Sequence, residues 1–97
     1  MKIHRITIEY CTQCRWMMRA AWLAQELLVT FETDISQVAL VPSSGGIFQV
    51  RLNDHLLFDR KTQSRFPETK EIKQLIRNQI DPERSLGHSD GHINNDL

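Results

Sequence analysis

The chain has 97 residues, which leaves room for one domain around one hydrophobic core. Twelve basic residues balance twelve acidic ones, and this balance disfavours general binding to the phosphate backbone of nucleic acids. No apolar run approaches the roughly 20 residues that cross a bilayer, and the first ten residues lack the continuous apolar core of a signal peptide. We therefore expect a folded cytoplasmic protein with neither nucleic acid nor membrane as a partner.

The first predicted element is a β-strand over residues 3–10. Ile6, Ile8 and Tyr10 share one face of it by the two-residue alternation that is typical of a half-buried strand. The strand is expected to end just before Cys11.

A long helix is predicted next, from about Cys14 to Phe31, because this segment has no glycine or proline and is rich in good helix formers. Steps of three and four residues predict its buried stripe: Met17, Ala20, Ala21, Ala24, Leu27, Leu28 and Phe31. Met18, Trp22 and Val29 fall outside that stripe. Either the buried face is wider than the stripe, or Met18 and Trp22 form an exposed apolar patch that receives a partner protein.

A second strand is predicted over residues 37–42, closed by a run of proline, serine and glycine that ends at Gly46. Strand, helix and strand in this order form a βαβ unit, which is parallel and right-handed in nearly all proteins. Residues 47–52 and 55–60 flank an Asn-Asp pair that tolerates the positive φ of a tight turn, which predicts a β-hairpin.

A second helix is predicted after Pro67, whose fixed φ suits a first helical turn. Its buried stripe comprises Ile72, Leu75, Ile76 and Ile80. Asp81 and Pro82 end this helix, and residues 82–97 are polar enough to predict a disordered tail. The domain therefore spans residues 1–81, and its order β-α-β-β-β-α predicts an α/β, thioredoxin-like fold with one mixed four-stranded sheet and two helices.

The chemistry is predicted to reside in Cys11 and Cys14, which form a C-x-x-C motif between the first strand and the first helix. Cysteine reacts as its thiolate, and the free N–H groups at a helix start favour that negative charge on Cys11. Thr12 and Gln13 add no charge that would repel it, and Arg15 adds a positive one. In a reducing compartment this spacing is more typical of a redox or metal site than of a permanent bridge.

A zinc module is a weaker alternative, because structural zinc takes four ligands and the chain has no third cysteine. His88 and His92 lie far along the sequence, in the predicted tail. We expect no metal and no organic cofactor. A further alternative is an interaction protein that docks a partner through Met18 and Trp22 and uses its cysteines only as a redox sensor.

Two segments resemble the selenoprotein W-like (Rdx) family: residues 10–14 (YCTQC) after a strand, and residues 46–50 (GIFQV) at the start of a hairpin. The resemblance runs over residues 3–81 and fits a cysteine-containing, bacterial-type member. It implies a small redoxin that acts on protein thiols or glutathione. The residues expected to support the cysteines or contact the substrate are Thr12, Gln13, Arg15, Gly45, Gly46 and Phe48.

The resemblance and the helix argument assign different roles to the two cysteines. In members with selenocysteine, that residue occupies the position of Cys14, whereas the helix argument makes an exposed, helix-capping Cys11 the attacking sulfur. We expect Cys11 to attack and Cys14 to resolve the mixed disulfide. Thioredoxins place a cis-proline before the third strand, where this chain has Gly45 and Gly46; this pair either lets a substrate approach the backbone or only makes a tight turn.

Overall fold

The computed structural model of the protein describes residues 2–93, and its centre is one four-stranded sheet. Its strands, in the order β2-β1-β3-β4 across the sheet, are β1 (His4–Cys11), β2 (Ile35–Ser43), β3 (Phe48–Leu52) and β4 (His55–Asp59). β2 runs parallel to β1, and the other neighbours are antiparallel. The predicted α/β fold with one mixed sheet is confirmed.

Three α-helices accompany the sheet: α1 (Met17–Thr30), α2 (Arg60–Gln63) and α3 (Thr69–Ile80). Lys73 of α3 donates a hydrogen bond to Glu26 of α1 over 3.0 Å, so the two long helices lie side by side on one face of the sheet. The four-residue α2 was not predicted. Asp59 begins it by accepting hydrogen bonds from the Lys61 N–H and the Thr62 hydroxyl, the usual way to satisfy the first free amides of a helix.

The central strand β1 shows the predicted alternation. Ile6 and Ile8 are fully buried under the helices and Tyr10 is nearly so, whereas Thr7 and Glu9 lie on the opposite, partly exposed face. Burial of each such isoleucine contributes roughly 1.5–3 kcal/mol to folding. The core therefore lies between the sheet and the two long helices.

Helix α1 begins later than predicted, at Met17 instead of Cys14. Arg15 has a left-handed backbone with φ of 61°, which ends a turn before the helix can start. The predicted buried stripe was also wrong at two positions, since Met17 and Leu28 are 56% and 42% exposed. Leu23 is buried instead, because the buried face is rotated toward the side that α3 covers.

The remaining strands and α3 largely follow the sequence pattern. β2 is longer than predicted and includes Pro42, which stands on the edge of the sheet where a missing N–H is tolerated. The hairpin is confirmed, with Asn53 at a φ of 56° in its turn. Glu68 and Glu71 form a capping box at the start of α3, whose Ile72 and Ile76 are buried.

Residues 82–93 pack against the domain, which differs from the disordered tail that the sequence predicts. Arg84 makes two hydrogen bonds to the Asp34 carboxylate, at 2.6 and 3.0 Å, and Arg77 of α3 pairs with Asp90 at 2.7 Å. These charged side chains find partners in elements distant in sequence, which composition alone does not reveal. Residues 94–97 of the predicted tail lie outside the described residues, and the domain end at residue 81 remains a prediction.

Among residues 2–93, no helix combines the length and apolar character that crossing a membrane requires.

Candidate redox site

The C-x-x-C motif lies at the carboxyl end of β1, where the ends of two neighbouring strands hold it. Cys11 is the last residue of β1, and its N–H donates to the Ile47 carbonyl over 2.8 Å. Thr12 donates to the Ser43 carbonyl twice, from its N–H at 3.0 Å and from its hydroxyl at 3.1 Å. The first half of the motif is therefore fixed to the sheet.

A tight turn over residues 12–15 folds the second half of the motif back over the first. The Arg15 N–H donates to the Thr12 carbonyl at 3.0 Å, and the Trp16 N–H donates to the Cys11 carbonyl at 3.3 Å. The left-handed backbone of Arg15, which costs a residue with a Cβ atom roughly 1–2 kcal/mol, closes the turn. The predicted helix-capping position of Cys11 was wrong, because α1 begins six residues later in the chain.

The two sulfur atoms of the motif are adjacent. The Cys14 Sγ donates to the Cys11 Sγ at a distance of 2.6 Å, and the Cys14 N–H donates to the same Cys11 sulfur at 3.3 Å. A disulfide bond has a length of about 2.05 Å, so a small movement of either side chain would allow the two cysteines to bond. Both cysteines are free in this structure.

Cys11 does not have the exposure that the sequence argument predicts for it. Cys11 is only 1% exposed, whereas Cys14 is exposed to solvent. The turn over residues 12–15 places Cys14 on the outside and covers Cys11 at the end of the sheet. The premise of an exposed Cys11 was therefore wrong.

The hydrogen bond between the thiols shifts the pKa values of the two cysteines in opposite directions. The bond from the Cys14 thiol lowers the pKa of Cys11 below its ordinary value, burial opposes this, and backbone N–H groups of Gly46, Cys14 and Gln13 lower it further. The same bond raises the pKa of Cys14, burial and the charge of Cys11 raise it further, and the positive charge of Arg60 acts in the opposite direction. Of the two thiols, that of Cys11 therefore loses its proton first.

The glycine pair before β3 is part of the cysteine environment. Gly45 and Gly46 have φ values of 70° and 73°, a left-handed conformation in which glycine carries no penalty. This conformation lets the Gly46 amide lower the pKa of Cys11. Lys61 lies alongside, 4.0 Å from the place that a Cβ atom at either glycine would occupy. Gly46 thus affects the pKa of Cys11 in addition to forming part of the turn.

An aromatic cluster with two arginines stands beside the motif, and the sequence pattern did not reveal it. The Phe66 ring packs edge-on against Trp16 at 4.8 Å and against Phe48 at 5.4 Å. The guanidinium of Arg60 lies 4.8 Å from the Trp16 ring centre, and that of Arg19 lies 3.8 Å from the Phe66 ring centre. These residues come from four separate segments, so no local spacing signals the cluster. Phe48 is fully buried and acts as its support.

Most of the chain matches a known protein family. The family model described as the Rdx family matches residues 5–78. The chain belongs to the Rdx family. Family membership indicates a redox-related role for this Rdx protein, whose two cysteine sulfurs are adjacent in space.

Two crystal structures resemble this Rdx protein over most of its length. A protein from Bordetella parapertussis is 52% identical, with a TM-score of 0.77, and the match covers 79% of this chain and 98% of that one. A selenoprotein W-related protein from Vibrio cholerae is 49% identical, with a TM-score of 0.78, and the match covers 80% and 98% of the two chains. A search of curated proteins finds no match.

A cleft of about 420 Å³ opens beside the motif of this Rdx protein. Its walls are Tyr10, Thr12, Arg15, Met17 and Met18. Met18 and Trp22 of the predicted patch are 85% and 56% exposed, and Val29 is 74% exposed. The alternative of a wider buried face is therefore wrong at all three positions. Gln13 is exposed at the tip of the turn.

A metal site has no support within residues 2–93, where no three histidine, cysteine or acidic side chains gather as ligands could. His88 lies in a short 3-10 turn (Gly87–Asp90) that packs against α3.

Proposed function

We propose that this Rdx family member is a thiol-disulfide oxidoreductase that exchanges electrons between its Cys11–Cys14 pair and protein thiols or glutathione. The observation that carries the proposal is the 2.6 Å separation of the two sulfur atoms at a surface turn. The pair can store and release two electrons by itself, so the proposed reaction requires no metal and no organic cofactor. We place this reaction in the cytoplasm, as the sequence predicts.

The proposed reaction begins with transfer of the Cys14 proton to the Cys11 thiolate, along the hydrogen bond that joins them. The Cys14 thiolate attacks one sulfur of a substrate disulfide, forms a mixed disulfide and releases the first substrate thiolate, which takes up a proton from solvent. Cys11 then loses its proton to solvent and attacks the Cys14 sulfur. The second substrate thiolate leaves and is protonated, so the substrate disulfide is reduced and the protein dithiol is oxidised.

Exposure is the reason for assigning the first attack to Cys14. A substrate disulfide can reach Cys14 directly, whereas Cys11 is 1% exposed beneath it. The lowered pKa of Cys11 then makes it easier for the resolving sulfur to lose its proton before it attacks the mixed disulfide. This order reverses the one expected from the sequence, and it agrees with the position of selenocysteine in the family members that the sequence resembles.

Substrate binding is proposed in the cleft beside the motif. The apolar surfaces of Met17 and Met18 suit the side chains of a protein substrate, and Arg15 brings a positive charge to the same cleft. The positive charge of Arg60 acts on Cys14, and Lys61 lies alongside Gly45 and Gly46, so both side chains suit the carboxylates of glutathione.

Trapping of the mixed disulfide tests both the chemistry and its order. The Cys11→Ser variant, incubated with oxidised glutathione, is expected to retain one glutathione on Cys14, seen by mass spectrometry of the unreduced protein. The Cys14→Ser variant is expected to retain little, because its remaining sulfur is buried. The reverse pattern would transfer the attack to Cys11, and no adduct on either variant would contradict the proposed activity.

A redox sensor that binds a partner is the second candidate, favoured by the exposed apolar side chains of Met18 and Trp22. The two candidates differ in turnover. An oxidoreductase reduces a model disulfide repeatedly when a thiol reductant is supplied, whereas a sensor is oxidised once and changes its binding. Turnover by the wild type that is lost in Cys14→Ser would support the oxidoreductase.

A further inference from the structure

The outer edge of the sheet at β2 is an unusual surface for a monomer. β2 has nine residues and, among residues 2–93, pairs only with β1. It contains no charged residue, although edge strands are normally kept from pairing by charges, prolines, irregularities or short length. Pro42 and a register irregularity stand near its two ends, and residues 37–41 between them pair regularly with β1.

The opposite edge provides a contrast within the same sheet. β4 has five residues, it ends in Asp59, and its pairing with β3 contains an irregularity. Its edge therefore carries several of the features that prevent strand addition. β2 lacks these features along the middle of its length.

The hydrogen bond from the Thr12 N–H to the Ser43 carbonyl fixes which backbone groups of β2 point outward. In a parallel ladder the N–H and C=O of one residue point to the same side, and successive residues alternate. The groups of Ala39 therefore point toward β1, and those of Val38 and Leu40 point away from the sheet. Two free N–H groups and two free C=O groups are presented in regular register.

Helix α1 continues this edge with an uncharged surface. The charged residues of the helix are turned toward other elements: Arg19 lies over Phe66, and Glu26 binds Lys73 of α3. The flank of α1 on the side away from α3, which we call the α1 flank, consists of Met17, Ala21 and Leu28. Met17 and Leu28 are 56% and 42% exposed.

We propose that the β2 edge and the α1 flank bind a second copy of this chain, with the two β2 strands antiparallel in one continuous eight-stranded sheet. A two-fold interface repeats every group on both sides, so each outward N–H meets a C=O of the other copy. A two-fold interface would also place each charged side chain close to the same side chain of the other copy. A surface without charged residues is therefore suited to a second copy, whereas a charged partner would find no oppositely charged side chain on it.

The spacing of elements supports the same arrangement. Helix α1 packs across both β1 and β2, and neighbouring strands are about 4.8 Å apart. Pairing of the two β2 strands would therefore place the two α1 axes about 10 Å apart, within the usual range for packed helices. The small side chain of Ala21, midway along the flank, allows this approach, with Met17 of each copy near Leu28 of the other.

Dimer formation would change the cleft beside the redox site through Met17. This residue belongs both to the α1 flank and to the wall of the cleft. In the dimer the second copy would cover Met17 and form one boundary of the cleft, and Met18 would remain to present an apolar surface to a substrate. The inference itself rests only on the edge and the helix, and it does not depend on the proposed activity.

Sedimentation velocity over a concentration series tests the interface with two neighbouring variants. Leu28→Glu places like charges together across the two-fold and is expected to weaken the dimer by about tenfold or more. Val29→Glu is the control, because Val29 is 74% exposed on the outer surface of the same helix, and this variant should remain dimeric. A wild type that is monomeric at every concentration, or a dimer unaffected by Leu28→Glu, would overturn the proposal.

Amide hydrogen exchange by NMR examines the strand pairing in the wild type, independently of any variant. The amides of Val38 and Leu40 should become protected as concentration rises, whereas those of Ala39 and Val41, bonded within the protomer, should be protected throughout. Rapid exchange at Val38 and Leu40 in a proven dimer would overturn the proposed interface. Protection that appears only when another protein is added would likewise reject the second copy as the occupant.

Discussion

At the scale of residues, the pKa of Cys11 is lowered by hydrogen-bond donors and not by a helix end. The Cys14 thiol is the main donor, and the Gly46 amide assists it. Helix α1 starts only at Met17, so its first amides lie beyond the motif. The environment of Cys11 therefore depends on the identity of the residue at position 14.

Substitution of Cys14 tests this dependence. In Cys14→Ser the hydroxyl can still donate to the Cys11 sulfur, so the pKa of Cys11 should remain below its ordinary value. In Cys14→Ala no donor remains on the side chain, and the pKa of Cys11 should rise. The thiolate absorbance of the single remaining cysteine, followed as a function of pH, gives both values. Equal pKa values in the two variants would contradict the role of the Cys14 donor.

The sequence predicted the identity of the reactive residues but not their exposure. The C-x-x-C spacing and the preceding strand were sufficient to locate Cys11 and Cys14. The left-handed backbone of Arg15, which ends the turn and places Cys14 outermost, has no signal in the sequence, because arginine rarely adopts it. The supporting ring of Phe66 was missed because it joins the site only through tertiary packing.

At the scale of elements, the segment after α3 is held to the loop after α1 by one ion pair. Arg84 donates to both oxygens of Asp34, and this bond lowers the pKa of the carboxyl. The side chains of Asp34 and Arg84 are 20% and 31% exposed, so solvent screens the pair in part. Protonation of Asp34 would remove one charge of this pair, so the attachment of the segment should depend on pH.

The Arg84→Ala variant is expected to lower the free energy of unfolding by about 1 kcal/mol at neutral pH. Because the pKa of Asp34 is lowered in the folded state, its contribution is present above the ordinary value of 3.8 and is lost as pH falls through the folded-state pKa. Urea unfolding at neutral pH and well below pH 3.8 measures the difference. Glu83→Ala, an exposed neighbour, is the control. An equal loss at both pH values would argue against this ion pair.

Element boundaries were predicted best where local chemistry marks them. The Asn-Asp turn and the proline before α3 are such marks, and both elements appear where expected. The start of α1 and the burial of Leu23 were not predictable, because they depend on the turn and on the contact with α3. The contacts of residues 82–93 depend on partners far away in the sequence.

At the scale of the whole molecule, one layer of helices covers one face of the sheet, and the other face of β1 carries partly exposed polar residues. The alternation of β1 determines this, with Ile8 fully buried beside a half-exposed Thr7. The strand that carries the cysteine motif at its end thus also carries much of the core. β1 therefore contributes both to the core and to the cysteine motif.

Substitution of Ile8 by alanine should lower the free energy of unfolding by about 2–5 kcal/mol, because it leaves a cavity under the helices. This is a large part of the stability of a typical domain, about 5–15 kcal/mol. Thr7→Ala, on the opposite face of the same strand, should change it by no more than about 0.5 kcal/mol. Urea unfolding of both variants provides the comparison, and similar losses would contradict the single-layer architecture.

The reduction potential of the Cys11–Cys14 couple is the most direct test of the proposed function. Equilibration of the wild type with glutathione buffers of graded potential, followed by counting of free thiols, should give one reversible two-electron transition between about −270 and −120 mV. The Cys14→Ser variant should show no such transition. A wild type whose two thiols never pair, or a disulfide that persists below about −300 mV as structural disulfides do, would contradict an active redox pair.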